Sequence, residues 1–341
     1  IVRLVGSEMC IRDSSKAMTS ACILKLIEER KIDLYEKVSF YWPEYGCNGK
    51  EDTKIIDLLT HRAGMFAFED NFTITNEDWT NWNLFVTKLA KQKPFYTPGS
   101  TQSYHALTFG FLVGEVVRRV DGRSLGTYFK EKIADNYNID FIFGLGNEDI
   151  NRTSDIVMSK IRSPILAKAF FGMPTWLLPK RIRPVVSLLK ESDFQKAFFN
   201  TQTEKNSVNS YAWKKAEIPA ANGFASAKGI SRFYSVLSDL NDNSFIKRET
   251  LEQAIKVHSS GPDTVLLNLP IKFGLGFMIE NPYSPLGQNP DLFGHSGVGG
   301  SVGFADKKRG IGFGFVKNYM HPPGKLFKSA NDLTKLFYSI L

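Results

Sequence analysis

Lys16 has the first setting in this chain that suggests chemistry. It opens onto Ala17–Ile27 (AMTSACILKLI), where Lys25 is the sole charge and apolar residues fall on every side of a helical projection. A helix that is hydrophobic all round belongs in a protein interior. Lys16 is therefore expected at the N-terminal end of a buried helix, where an ammonium is costly unless it has a partner or a task. A lysine one turn after a serine can serve as the base that activates it, because burial favours the neutral amine. Here the residue one turn before Lys16 is Asp13. Ser14 and Ser15 project at the wrong helical angles for Lys16 to act on them.

Two later clusters carry groups of the same kind, Tyr104-His105-Ala106 and His295-Ser296-Gly297. A phenol can relay a proton, and a glycine on a strand lets a ligand approach the backbone. On residue type alone, Tyr104 also fits a buried helix residue with a satisfied hydroxyl, and His295 a plain strand histidine. His61 falls in a helix-ending turn and reads as structural, bonding nearby backbone. Cys10, Cys22 and Cys47 make neither a disulfide framework nor a zinc spacing, and Cys22 reads as a small buried apolar residue.

The elements that must position these groups change character along the chain. After the central helix, Ile55, Ile56, Leu58 and Leu59 predict a short buried helix stopped by Gly64. Trp82, Phe85 and Leu89 recur at helical spacing within Trp79–Gln92. Tyr104–Val120 predicts an apolar helix, with Gly110 and Gly114 one turn apart for close packing. Ser124–Asp135 and Ala227–Leu240 also read as helical. The last third is glycine-interleaved: Phe273–Glu280, Phe293–Gly297 and Gly310–Val316 predict strands with hairpin-like connections, and Lys325–Leu341 predicts a closing helix. Helices first and strands last suggest an α+β architecture with an antiparallel sheet.

The 341 residues are 43% hydrophobic and 23% charged, with a formal net charge of +8, ordinary for a globular chain with a sizeable core. Although a soluble basic protein is the favoured reading, the basic balance admits an anionic partner such as a membrane surface, peptidoglycan or nucleic acid. Residues 156–190 concentrate it, with seven Lys/Arg and no acid. A basic surface helix pair is the favoured reading there, with a lid or a membrane-surface element as the alternative. No run approaches the roughly 18 apolar residues of a membrane span. The opening residues lack the layout of a signal peptide. Met9–Asp13 (MCIRD) is also what a common transposase sequencing adapter encodes, so residues 1–13 are expected to be foreign, with native sequence beginning near Ser14.

Taken together, Lys16, Tyr104-His105-Ala106 and His295-Ser296-Gly297 resemble, in order and spacing, the three motifs of the serine β-lactamase and penicillin-binding superfamily. The segments TKIIDLLTHRAG, SLGTYFKEKI and GVGGSVGFAD support the likeness, which covers Ser14 to Leu341 and is nearest the class C-related, carboxylesterase-containing branch. The resemblance implies a β-lactamase/transpeptidase-like α+β fold, with a mostly helical part at about 61–265 and sheet strands with a closing helix at about 266–341. The family has two strands before the central helix; without them the sheet is expected to keep three strands and an exposed edge. It also implies roles: Lys16 as base, Tyr104 as proton relay, His295 flanking the cleft, Ser296 and Gly297 lining it, and the Val298 amide in an oxyanion hole. Asp13 then occupies the nucleophile position, and the chain as it stands should be inactive or nearly so.

Many relatives have serine and asparagine where this chain has His105 and Ala106. Loss of that amide favours ester substrates over β-lactams or peptides. The expected function is an acyl-enzyme carboxylesterase needing no cofactor or metal, with a small ester or amide as substrate and no nucleic acid partner. A β-lactamase or D-amino-acid amidase is the alternative within enzymes, and a non-catalytic scaffold or binding homologue the alternative outside them.

Overall fold

The computed structural model describes the chain except residues 1–7, 11–14, 71, 159–171, 182, 191, 202–206, 240–244, 281–285, 287, 288, 290, 291, 298 and 322–326. Its centre is the helix Lys16–Glu28, in which every residue from Lys16 to Leu24 is buried. Apolar residues on all sides give this helix contacts in every direction: the helix Thr108–Asp121 on one flank, and the helices Leu125–Phe129 and Arg248–Ala254 and the strand Leu292–Ser296 elsewhere.

Beside it lies a six-stranded antiparallel sheet. In spatial order its strands are Ile311–Phe315, Val302–Asp306, Leu292–Ser296, Met278–Ile279, Leu269–Phe273 and Ser259–Asp263. This corrects the expected three strands. Ser259–Asp263 (SSGPD) has almost no strand propensity and holds a proline, tolerated because it is an edge strand. The span Phe273–Glu280, expected as one strand, is two strands around a turn in which Gly276 has a φ of +77°. A Cβ there would lie 1.8 Å from Ser20 Oγ, so only glycine lets the turn meet the central helix.

The interleaved glycines have a packing reason. Gly303 pairs with Gly314 and Ala305 with Gly312, which makes a flat stripe on one face of the sheet. The helix Ala227–Ser238 rests directly on it, and a Cβ at Gly312 would come within 2.1 Å of the Ser235 nitrogen. The closing helix Lys328–Ser339 meets the opposite face, with Phe337 against Phe313 and Tyr338 against Phe304. A smaller four-stranded sheet joins Phe141–Ile142, Phe224–Ala225, Glu8–Cys10 and Thr153–Ser154.

Two helical expectations shift. The helix after Tyr104 begins only at Thr108, so Tyr104 sits in the irregular segment before it. The short helix ends at Leu59 without help from Gly64. Gly64 is required instead because a Cβ would fall 1.9 Å from the Tyr96 carbonyl oxygen. Gly110 and Gly114 do permit close packing, against the Ala220 backbone and the Trp82 ring. Among the described residues no helix is long and apolar enough to cross a membrane.

Candidate active site

Lys16 is fully buried in the first turn of the central helix. Its Nζ donates to the Ala106 carbonyl at 2.8 Å and to the Ala220 carbonyl at 3.2 Å. The contact with residue 106 is made to the backbone, so it does not depend on the side chain there. Ser15 stands at the residue before the helix, and its Oγ accepts the Gly223 N–H at 3.0 Å. Asp13 and Ser14 lie outside the described residues.

Lys16 Nζ stands 4.7 Å from the centroid of the Tyr104 ring. That ring is 2% exposed and is framed by His61 at 4.9 Å, Phe273 at 6.0 Å, His295 at 6.1 Å and Phe198 at 6.5 Å. Three residues separated by most of the chain thus converge: Lys16 from the helix, Tyr104 from its loop and His295 from an inner strand. His295 is fully buried, with Nδ1 2.8 Å from the Ser296 carbonyl. Ser296 points its hydroxyl at Met278 Sδ, 3.6 Å away, and the Gly297 N–H closes a turn onto the Ser301 carbonyl at 2.8 Å. Val298 lies outside the described residues.

The loop carrying Tyr104 is held by residues that pattern reading passed over. Buried Asp263 accepts the Tyr104 N–H at 3.1 Å, the Val265 and Leu266 N–H groups at 3.0 Å each, and Gln102 Nε2 at 3.3 Å. Burial raises its carboxyl pKa while these donors oppose the rise. Nothing in the sequence around Asp263 singles it out, because its partners are assembled by the fold. His61 bonds backbone, but outside its own turn: Nδ1 accepts the His105 N–H at 3.2 Å, and its carbonyl accepts the Ser103 N–H at 2.9 Å. It takes this position with a left-handed φ of +58°.

His105 donates from Nδ1 to the Ser103 carbonyl at 2.6 Å, and its Nε2 accepts the Met65 N–H at 3.2 Å. A second proton on that ring would face an N–H. Burial pushes its pKa down to about 3, reinforced by Lys16 and opposed by the Ser103 carbonyl. Burial likewise holds His61 well below its ordinary value, helped by His105, Lys16 and His295. Both rings are neutral in the fold yet protonate near pH 6.5 when unfolded. Their contribution is fully present above about pH 6.5 and is lost as pH falls toward the folded values. Lowering pH from 7 to 5 should therefore cost on the order of 2 kcal/mol through His105, with a further loss in the same direction from His61, read from urea midpoints. A His105→Gln variant should show a shallower loss, and equal midpoints for the parent chain at both pH values would refute the account.

Among the described residues no group of three or more His, Cys, Asp or Glu side chains could hold a metal ion. What the arrangement can do is move a proton between an amine, a phenol and a reacting group in a site largely closed to water.

A sheet beside a largely buried central helix, with a loop tyrosine near the helix N-terminus, is the ground plan of hydrolases built on the β-lactamase fold. A family model described as Beta-lactamase matches residues 9–334, and the chain belongs to that family. It is 29% identical over 317 residues to the esterase/beta-lactamase LipL of Mycobacterium tuberculosis (strain ATCC 25618 / H37Rv), spanning 91% of this chain and 69% of LipL. The structure of a penicillin-binding protein homologue from Caulobacter crescentus is similar at a TM-score of 0.79 and 28% identity, over 98% of this chain and 84% of that one. A family VIII carboxylesterase gives 0.78 and 28%, over 96% and 83%.

Proposed function

We propose that this chain is built as a serine hydrolase cleaving carboxylic esters through an acyl-enzyme, with the nucleophile belonging at position 13, where Asp13 now stands. The observation that carries the reading is the convergence of Lys16 Nζ on the Tyr104 ring beside His295 in a buried site. With serine at 13, its oxygen attacks the ester carbonyl and its proton passes to Lys16 or Tyr104. The proton then moves to the departing alcohol as the C–O bond breaks, and water releases the acid from the acyl-serine. The Val298 amide is assigned to the oxyanion site, with Ser296 and Gly297 as the adjoining wall. The names of LipL and of the family VIII carboxylesterase support an ester substrate, as does the absence of a side-chain amide at Ala106.

The substrate class is tested by restoring serine at position 13 and comparing p-nitrophenyl acetate with nitrocefin. The ester is expected to react with a kcat/KM at least about 10²-fold higher, equivalent to about 2.7 kcal/mol of transition-state preference. Faster nitrocefin hydrolysis would move the assignment to the amidase side.

A further inference from the structure

Within the basic segment, residues 172–181 form a largely exposed tip. Pro174 and Pro179 bracket a 3-10 turn at Thr175–Leu177, which leads into the helix Arg183–Lys190. Met173, Trp176 and Leu177 are 37%, 69% and 51% exposed, while Leu178 behind them is buried. Exposing a tryptophan beside two other large apolar side chains is unfavourable in water unless the patch has a use.

Side chains and turn bonds hold much of the tip's backbone. Arg183 Nη2 donates to the carbonyls of Trp176 at 2.9 Å and Leu178 at 3.2 Å, and Lys190 Nζ donates to the Met173 carbonyl. The Leu177 and Leu178 N–H groups close onto Pro174 and Thr175 at 3.0 and 3.1 Å. Irregular backbone resists entry into a lipid surface because its polar groups lose water. Here two cationic side chains from the following helix occupy carbonyls that would otherwise need it. Lys180 and Arg181 stand exposed beside the tip, and residues 156–190 contain no acid to oppose them.

We infer that this tip is an interfacial anchor that docks the protein onto an anionic lipid surface. Met173, Trp176 and Leu177 enter the boundary between headgroups and acyl chains, where tryptophan is favoured. Lys180 and Arg181 pair with anionic headgroups. A protein partner would need acidic residues to match the same cations, but it would not require the tip's carbonyls to be occupied in advance. The next helix, Ser192–Phe199, continues from the anchor to the site: Phe198 lies beside Tyr104, and Tyr96 Oη donates to Asp193 at 2.5 Å. Docking goes beyond the reaction assigned above and is measured without turnover.

The test is co-sedimentation of the full chain with vesicles of phosphatidylcholine alone and with about 30 mol% phosphatidylglycerol. Binding should be at least about tenfold stronger on the anionic vesicles and should weaken as salt rises. The double variant Trp176→Ser/Leu177→Ser should lose about tenfold or more of that binding, and Lys180→Glu/Arg181→Glu should lose the preference for phosphatidylglycerol. Unchanged thermal unfolding of both variants would show that the loss belongs to the surface. No sedimentation with anionic vesicles at about 1 mM lipid, or equal binding by variants and parent, would overturn the inference.

Discussion

Replacing Asp13 by serine is expected to give a chain that a fluorophosphonate labels, with p-nitrophenyl acetate hydrolysis raised by about 10³-fold or more. The size follows from how catalytic groups act as a unit: losing the nucleophile alone removes nearly all of the rate that the ensemble supplies. A carboxylate at that position cannot form a stable acyl-enzyme, since its acyl product would be an anhydride. A carboxylate three residues before Lys16 in sequence would also favour the ammonium, which cannot accept a proton. The substitution removes both obstacles in one step. The comparison is the parent chain under identical conditions, with both labelling and turnover measured. If the Asp13→Ser protein is neither labelled nor faster, the hydrolase assignment fails and a binding role takes its place.

Lys16→Met in that restored background should show two separate losses. Turnover should fall by about 10²- to 10⁴-fold, the usual range for a general acid or base. Stability should also fall by about 1–3 kcal/mol, because the buried Ala106 and Ala220 carbonyls lose this donor. Tyr104→Phe separates the two effects. It keeps the ring that packs between His61, Phe273 and His295, so turnover should drop over the same range with the denaturation midpoint nearly unchanged. If turnover survives Lys16→Met once the folded fraction is accounted for, Lys16 is a structural residue and the base lies elsewhere. If it survives Tyr104→Phe, the phenol has no part in proton transfer.

Much of the framework around these residues is legible in the sequence. The central helix declared itself through apolar residues on every side, because a helix with no polar face has nowhere to lie except the interior. That one fact buried Lys16 and made it worth asking about. The glycine-interleaved tail read correctly as sheet, although its purpose, a flat stripe for the helix Ala227–Ser238, appears only in three dimensions. The strand count did not come through, because Ser259–Asp263 is held by its neighbours in the sheet and has little strand propensity of its own. Tyr104 was placed in a helix because apolar periodicity runs past the true helix start, which the sequence marks with no capping residue.

The chain by itself therefore determined the α+β class, the buried helix and the spacing that brings Lys16, Tyr104 and His295 into one family pattern. Only the tertiary structure decided what holds them there: the Ala106 and Ala220 carbonyls on Lys16, Asp263 under the Tyr104 loop, and His61 and His105 locked in opposite tautomers. The division has a physical cause. Burial and periodicity are local and repeat along a sequence, whereas a hydrogen-bonded brace depends on backbone groups that every residue carries alike, and only the folded chain selects which of them meet.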